Sequence, residues 1–395
     1  MAKDSRNLSQ ARLTQELFDS YENHKRQEIK SRRFTQTEML RWLEPISAAG
    51  VVGATKLGHS AEGRPISLYT YGHGPTKVLL WSQMHGDEPT ATMALLDILN
   101  YFGRRADDVV ARTIRTNLAL LIIPMLNPDG AERFSRRTAQ LIDMNRDAIS
   151  LRTPEAQILR DTQQKYHPKF GFNLHDQEPH QTVGSSNKVA AIALLAPARD
   201  QVRSDNDVRL NAKKVATVFA EVLDQLVPGH VAKYDDIFER RAFGDNIQLW
   251  GTSTVLVESG GWPNDREKMF IRKLNYVGLL VSLYSIATRE YEWKNITVYE
   301  SLPSNSENLY DIIVRGVELK ATEGTSSVRV DIGINIEEWN QEPDRMRLMA
   351  KVVDVGDLSP YGAFEERDGK GMLLKSSDIQ LDKLIPWEDL QQVLK

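Results

Sequence analysis

VLLWSQMHGDEPTATMALLDIL, residues 78–99, decides how this chain is read. Residues 78–82 form an apolar run of the kind found in strands buried on both faces. Met93, Leu95, Leu96, Ile98 and Leu99 then recur at helical intervals over residues 90–100. His85 and Glu88 lie between strand and helix. Both are zinc-ligand types, and a strand end is a poor place to leave either one unpaired. Pro89 disfavours helical backbone at the residue before it, so Glu88 is expected in the turn. The pair therefore belongs to a strand-to-helix loop, unlike the helical pair of an HExxH site. Gly86 is expected to ease that turn.

The wider chain has 395 residues, enough for one large domain and a smaller one. Hydrophobic residues make up 41% and charged residues 26%, so a large core is possible. A net charge of −4 gives no general attraction to nucleic acid or anionic membranes, and neither is an expected partner. The absence of cysteine excludes disulfides and thiolate catalysis, and it leaves His, Asp and Glu as side-chain ligands for a metal. The first residues show no apolar signal-like run, and the apolar stretches at 118–126 and 189–197 are too short to span a membrane. A soluble cytoplasmic protein is the expectation.

Strand and helix signals alternate along most of the chain. Residues 9–46 read as one or two helices. Residues 117–125, 170–174 and 252–257 read as strands, and 208–226 and 266–288 as helices. The expected fold is α/β, with a mixed, mostly parallel central sheet flanked by helices. Near residue 290 the pattern changes. VRVDIGINIE (328–337) alternates apolar and polar residues, as a strand with one wet face does. The expected organisation is a large α/β domain over 1–291, with a helical segment at 9–46, and a small β-rich domain over 292–395.

Four apolar runs end in polar residues: His85, Asn127, His175 and Glu258. In open α/β sheets, ligands bind beyond the carboxyl ends of the strands. With these pieces in place, the chain resembles the zinc carboxypeptidases of the funnelin type, the carboxypeptidase A-like clan. The resemblance rests on ordered motifs: GHSAEGRPI (58–66), HGDE (85–88), NPDG (127–130), RRT (136–138), DMNR (143–146), NLH (173–175) and VESGG (257–261). It covers roughly residues 50–290.

The resemblance implies one Zn²⁺ per chain, bound by His85, Glu88 and His175 with a water in the fourth position. It implies Glu258 as the general base and acid, and Asp143 as the acceptor for the His85 ring N–H. Arg136 corresponds to the arginine that stabilises the developing oxyanion, with Arg133 and Arg137 as rivals. Asn145 and Arg146 correspond to the pair that grips the substrate's terminal carboxylate. The implied reaction is hydrolysis of a peptide bond with release of a C-terminal amino acid. The implied partner is a peptide, or an amino-acid-derived substrate with a free carboxylate.

The sequence departs from the digestive members of that family. The spacing from Glu88 to His175 is shorter, as in a compact bacterial subgroup that includes murein-peptide amidases and amino-acid deacylases. Asp87 stands where the digestive enzymes carry arginine, and Asp176 where they usually carry serine. Tyr234 is the nearest candidate for their mobile tyrosine. RRAFGDN (240–246) is expected to line the specificity pocket through Arg240, Arg241 or Asp245. A deacylase or amidase, and a non-catalytic binding protein on the same fold, are the competing readings.

Overall fold

The computed structural model describes residues 9–342 and 345–394. They divide into two compact units: residues up to 178 with 190–305, and residues 179–189 with 306 onward.

The first unit is built on an eight-stranded sheet. Its strands are β1 (Gly53–His59), β2 (Pro65–Tyr71), β3 (Thr76–Ser82), β4 (Leu118–Ile123), β5 (Phe170–Asp176), β7 (Ile192–Leu195), β8 (Val231–Lys233) and β9 (Ser253–Ser259). The short β6 (Gln181–Val183) lies outside it. The spatial order is β1-β2-β4-β3-β5-β9-β7-β8. The central strands β4, β3, β5 and β9 run parallel. The β1–β2 and β2–β4 pairs are antiparallel, and so is β7 against β9. The sheet is thus mixed with a parallel centre, as the alternating pattern predicts.

Helices cover both faces. They are α1 (Gln10–Ser20), α2 (Gln36–Ala48), α3 (Thr90–Arg104), α4 (Val109–Asn117), α5 (Pro128–Glu132), α6 (Pro154–Tyr166), α7 (Asp207–Leu226), α8 (Phe243–Leu249), α9 (Met269–Thr288) and α10 (Thr297–Glu300). Alternate strand residues face opposite ways. Leu80, Phe172, Leu174 and Val257 join the larger core with α3, α7 and α9. Leu79 and Trp81 join a smaller one with Leu159 of α6 and Phe243 and Ile247 of α8. By the same alternation, His175 and Glu258 point to the smaller-core side. Among the described residues no helix is long and apolar enough to cross a membrane.

The second unit carries a sheet ordered β14-β11-β12-β13-β16, with β15 beside β11. These strands are β11 (Leu309–Lys320), β12 (Ser327–Glu342), β13 (Arg345–Gly356), β14 (Gly362–Asp368), β15 (Leu373–Lys375) and β16 (Leu384–Pro386). β10 (Asn305–Glu307) pairs with β6, and α11 (Trp387–Val393) follows β16. The alternation expected in 328–337 buries Ile332 and Ile334. It frays at Val328, which is exposed.

The expected boundary at residue 292 requires correction. Tyr291 and Tyr299 are buried in the first unit's larger core, with Leu302 packed against it, so the chain up to 305 stays there. Residues 179–189 belong to the second unit although they follow β5 directly. Side-chain contacts explain this: the Thr182 hydroxyl donates to the Ser306 carbonyl at 3.2 Å, and His180 lies 3.0 Å from Asp311. Neither contact has a hydropathy signature.

Candidate metal centre

The HGDE loop is held by its neighbours. β3 ends at Ser82, and Gln83 turns the chain with a left-handed φ of 49°. The Gln83 side-chain amide donates to the Gly86 carbonyl at 2.9 Å. Gly86 itself has no left-handed φ. A Cβ there would lie 2.0 Å from the Gly130 carbonyl carbon, so this glycine serves a close approach to α5 rather than the turn. Asn127 caps α5 by accepting from the Gly130 N–H at 2.9 Å, and its amide donates to the Met84 carbonyl at 3.2 Å. Asn127 therefore fastens the loop from below. As Pro89 predicts, Glu88 lies outside the helix, which begins at Thr90.

His175 and Glu258 stand on adjacent strands as direct register partners. Both strands continue one residue past them, to the pair Asp176 and Ser259. His85 Nδ1 lies 2.7 Å from Glu88 Oε1, and His175 Nδ1 lies 2.7 Å from Glu88 Oε2. One ligand atom from each of His85, Glu88 and His175 falls within 4.8 Å of the others, and all three residues are buried.

Asp143 combines two roles. Its Oδ1 lies 3.1 Å from His85 Nε2 and accepts from the Asn145 N–H at 2.9 Å, capping a short 3₁₀ turn. A carboxylate only accepts, so the His85 Nε2–H donates and Nδ1 faces Glu88. Arg136 closes the group. Its Nε and Nη2 donate to Asp143 Oδ2 at 3.2 and 3.1 Å. Its Nη1 donates to Glu88 Oε1 at 3.0 Å and lies 3.1 Å from His85 Nδ1. The rival arginines are engaged elsewhere. Arg133 bonds Glu62 and the Asp129 carbonyl, and Arg137 the Leu141 carbonyl. The left-handed φ of 46° at Phe134 turns this loop, a feature the sequence does not announce.

The pair proposed for a carboxylate is also placed. Asn145 Oδ1 accepts from the Phe243 N–H at 2.9 Å. Arg146 is exposed, with Nη1 donating to the Asn145 carbonyl at 2.8 Å and Nε 3.5 Å from Glu239 Oε2. Within RRAFGDN, Arg240 and Arg241 are exposed while Asp245 is buried. Burial pushes Asp245 up to about 7. Tyr234 titrates above its ordinary range because of burial and the nearby Glu258 and Glu88 carboxyls, which puts it within electrostatic reach of the centre.

Charge is unevenly distributed. Burial opposes protonation of His85, but Glu88 and Asp143 outweigh it and push the ring up to about 9. For His175 burial prevails and lowers the ring. Glu88 resists burial through its two histidines and stays well below the usual carboxylate range. Glu258 has no such partner; burial and the nearby Glu88 push it up to about 8.

The donor set fits a zinc ion. Two imidazole nitrogens and a carboxylate oxygen converge in a buried group free of thiols, and the guanidinium Nη1 of Arg136 already rests a cation against two of them. The negative surroundings that favour a second proton on His85 would equally favour a metal there, with release of that proton. Two neighbouring residues lie outside the sequence motifs. Glu239 and Lys268 carry no signature. Asn173 lies two residues before His175 on the same strand face, fully buried, with neither amide atom bonded to protein among the described residues.

Comparisons with known proteins find carboxypeptidases both by sequence and by fold. The sequence model of a family described as zinc carboxypeptidase matches residues 39–195. A curated relative, "Probable carboxypeptidase 2" of Arthroderma benhamiae, is 26% identical over 143 residues, covering 35% of this chain and 27% of the relative. The chain thus matches only about a quarter of that relative's length. Among solved structures, a metallo-carboxypeptidase from Burkholderia cenocepacia superposes with a TM-score of 0.51 at 20% identity, covering 65% of this chain and 70% of the other. Carboxypeptidase A from Helicoverpa armigera gives 0.51 at 15% identity, with 71% and 80% covered. At these identities the two structures establish a shared fold.

Proposed function

We propose that this chain, whose residues 39–195 match the zinc carboxypeptidase family model, hydrolyses a peptide or amide bond with zinc held by His85, Glu88 and His175, most specifically by releasing a C-terminal amino acid. What supports this reading is the convergence of these three side chains together with a buried carboxyl group, Glu258, whose side chain makes no hydrogen bond among the described residues. When bound, zinc would supply Lewis acidity and a water acidified to a pKa of ~7.

The remaining work falls to the chain. In its ionised form, which a nearby cation favours against the burial that raises it, Glu258, on the strand next to His175, accepts the proton of the attacking water and returns it to the leaving nitrogen. Arg136 offers a fixed cation to the carbonyl oxygen as negative charge develops there. To do so, its Nη1 withdraws from His85 and Glu88 while Nε and Nη2 keep their hold on Asp143. Asn145 and Arg146 orient the substrate through its carboxylate, with Arg146 exchanging Glu239 for the ligand.

Metal analysis of the purified chain tests the reading. About one zinc per chain is expected in the wild type and in Glu258→Gln, and much less in His175→Ala. Glu258→Gln is expected to lose hydrolysis while keeping metal. Assays on peptides with free C-termini, N-acyl amino acids and murein peptides separate the exopeptidase from a deacylase or amidase. A wild-type protein that takes up no zinc would sink the assignment.

A further inference from the structure

Behind the metal centre lies a buried ion pair. Asp176 directly follows His175, and Lys268 directly precedes α9; both side chains are buried. Lys268 Nζ donates to Asp176 Oδ2 at 3.2 Å, to the Ser259 carbonyl at 3.0 Å and to the Gln177 carbonyl at 3.5 Å. The Thr90 hydroxyl donates to the same Asp176 oxygen at 2.5 Å. The Asp176 N–H donates to Glu88 Oε2 at 3.2 Å.

These bonds fall at specific positions. Asp176 is the neighbour of His175, Ser259 is the neighbour of Glu258, and Thr90 is two residues from Glu88. One ammonium group and the carboxylate it holds therefore join the three segments carrying two ligands and the base. Asp176 and Ser259 are also the last register pair of β5 and β9, and beyond them the Gln177 N–H donates to the same Ser259 carbonyl that Lys268 holds, at 3.0 Å.

Ordinary structural duties do not account for the lysine. The start of α9 is capped by Asp265, whose Oδ2 accepts from the Phe270 and Ile271 N–H groups at 2.9 and 3.2 Å. Lys268 has a left-handed φ of 53°, an uncommon conformation for a side chain of this kind. A buried ion pair is weak support for stability in itself, because desolvation offsets much of the attraction. Its presence at this spot is better explained by what it aligns. Groups behind metal ligands orient them, and changing such groups typically weakens metal affinity or activity 10–100-fold.

We propose that Lys268, acting through Asp176, is a positioning residue that keeps Glu88, His175 and Glu258 in mutual alignment. This rests on the zinc hydrolase reading given above. The test compares wild type with Lys268→Met, Lys268→Arg and the double variant Asp176→Asn/Lys268→Met, which removes both charges together and keeps a folded sample available. Each is measured for zinc affinity by chelator competition, for thermal unfolding, and for kcat and KM on the best peptide substrate.

Lys268→Met and the double variant are expected to fold, to bind zinc about 10–100-fold more weakly, and to lose kcat by a similar factor with KM changed by less than about threefold. Lys268→Arg is expected to recover most of both losses. Zinc affinity and kcat within about twofold of wild type in the folded variants would overturn the proposal. So would a Lys268→Arg variant as deficient as Lys268→Met. Failure of the hydrolase reading shows in the wild type alone. If wild type binds zinc and cleaves nothing, the affinity comparison still decides the role of Lys268.

Discussion

Asp97 and Glu258 are both buried carboxyl groups, and the protein partners them very differently. Each oxygen of Asp97 has two partners. Oδ1 accepts from the Arg26 N–H at 2.7 Å and Arg272 Nη2 at 2.6 Å; Oδ2 accepts from the Tyr21 hydroxyl at 2.8 Å and Arg272 Nε at 2.7 Å. Arg272 completes the group through the carbonyls of Ile29 and Arg26, both at 3.0 Å. That cluster is closed and ties the N-terminal segment to α3 and α9. The Glu258 side chain has no hydrogen bond among the described residues; burial raises both carboxyls, Asp97 against its pairing with Arg272, and carries Glu258 up to about 8. A saturated buried charge is architecture, whereas buried charge left unbalanced marks a place prepared for something else.

The largest expected effect breaks the closed cluster. Asp97→Ala leaves the Arg272 guanidinium buried without its anion, and removing one partner of a buried pair costs about 3–5 kcal/mol. Denaturant unfolding should show that loss, while the zinc content of the protein that remains folded stays near one per chain. Glu258→Gln should show the reverse, with activity abolished and stability almost unchanged. If Asp97→Ala removed zinc as fully as His175→Ala does, the division between architecture and site would fail.

Sequence reached these two regions unequally. The four site positions were legible because each follows an apolar run, and a strand buried on both faces leaves its polar residues at its ends. The parallel core was legible for the same reason. The Asp97 cluster was not, because its partners at 21, 26 and 272 are far apart and a lone Arg in an apolar helix has no local signature. Lys268 was hidden likewise, since it acts from a left-handed position between β9 and α9. The transfer of residues 179–189 to the second unit depends on contacts with residues more than 120 positions away. The choice among Arg133, Arg136 and Arg137 needed the turn at Phe134, which sets which guanidinium faces the histidines.

That choice sharpens the contrast at an intermediate magnitude. Arg136 spans both kinds of environment, paired with Asp143 yet reaching Glu88. Arg136→Ala is expected to lower kcat by about 10²–10³, as loss of an oxyanion donor does, with zinc retained. Lysine should restore little, because Nε and Nη2 grip Asp143 together and an ammonium cannot reproduce that fork. Arg133→Ala and Arg137→Ala should keep kcat within a few-fold, since their hydrogen bonds lead away from the donor set. Equal losses for all three would mean that the loop as a whole, and not one guanidinium, is what matters.

Asp245 gives the smallest and most graded test. It is buried, and its desolvation outweighs the attraction of Arg146, so the carboxyl is pushed up to about 7. An unfolded aspartate titrates near ~3.9. Between these values the folded protein keeps a proton that the unfolded chain releases. The stability this gives is fully present below the unfolded value and is lost as pH rises through about 7. Asp245→Asn removes the titration. The variant should therefore gain steadily on wild type as pH rises from 4 to 8 and level off above about 7. Urea unfolding of both proteins across that range measures the gap. A gap that does not widen with pH would show that Asp245 is already balanced when ionised, placing it with Asp97 and not with Glu258.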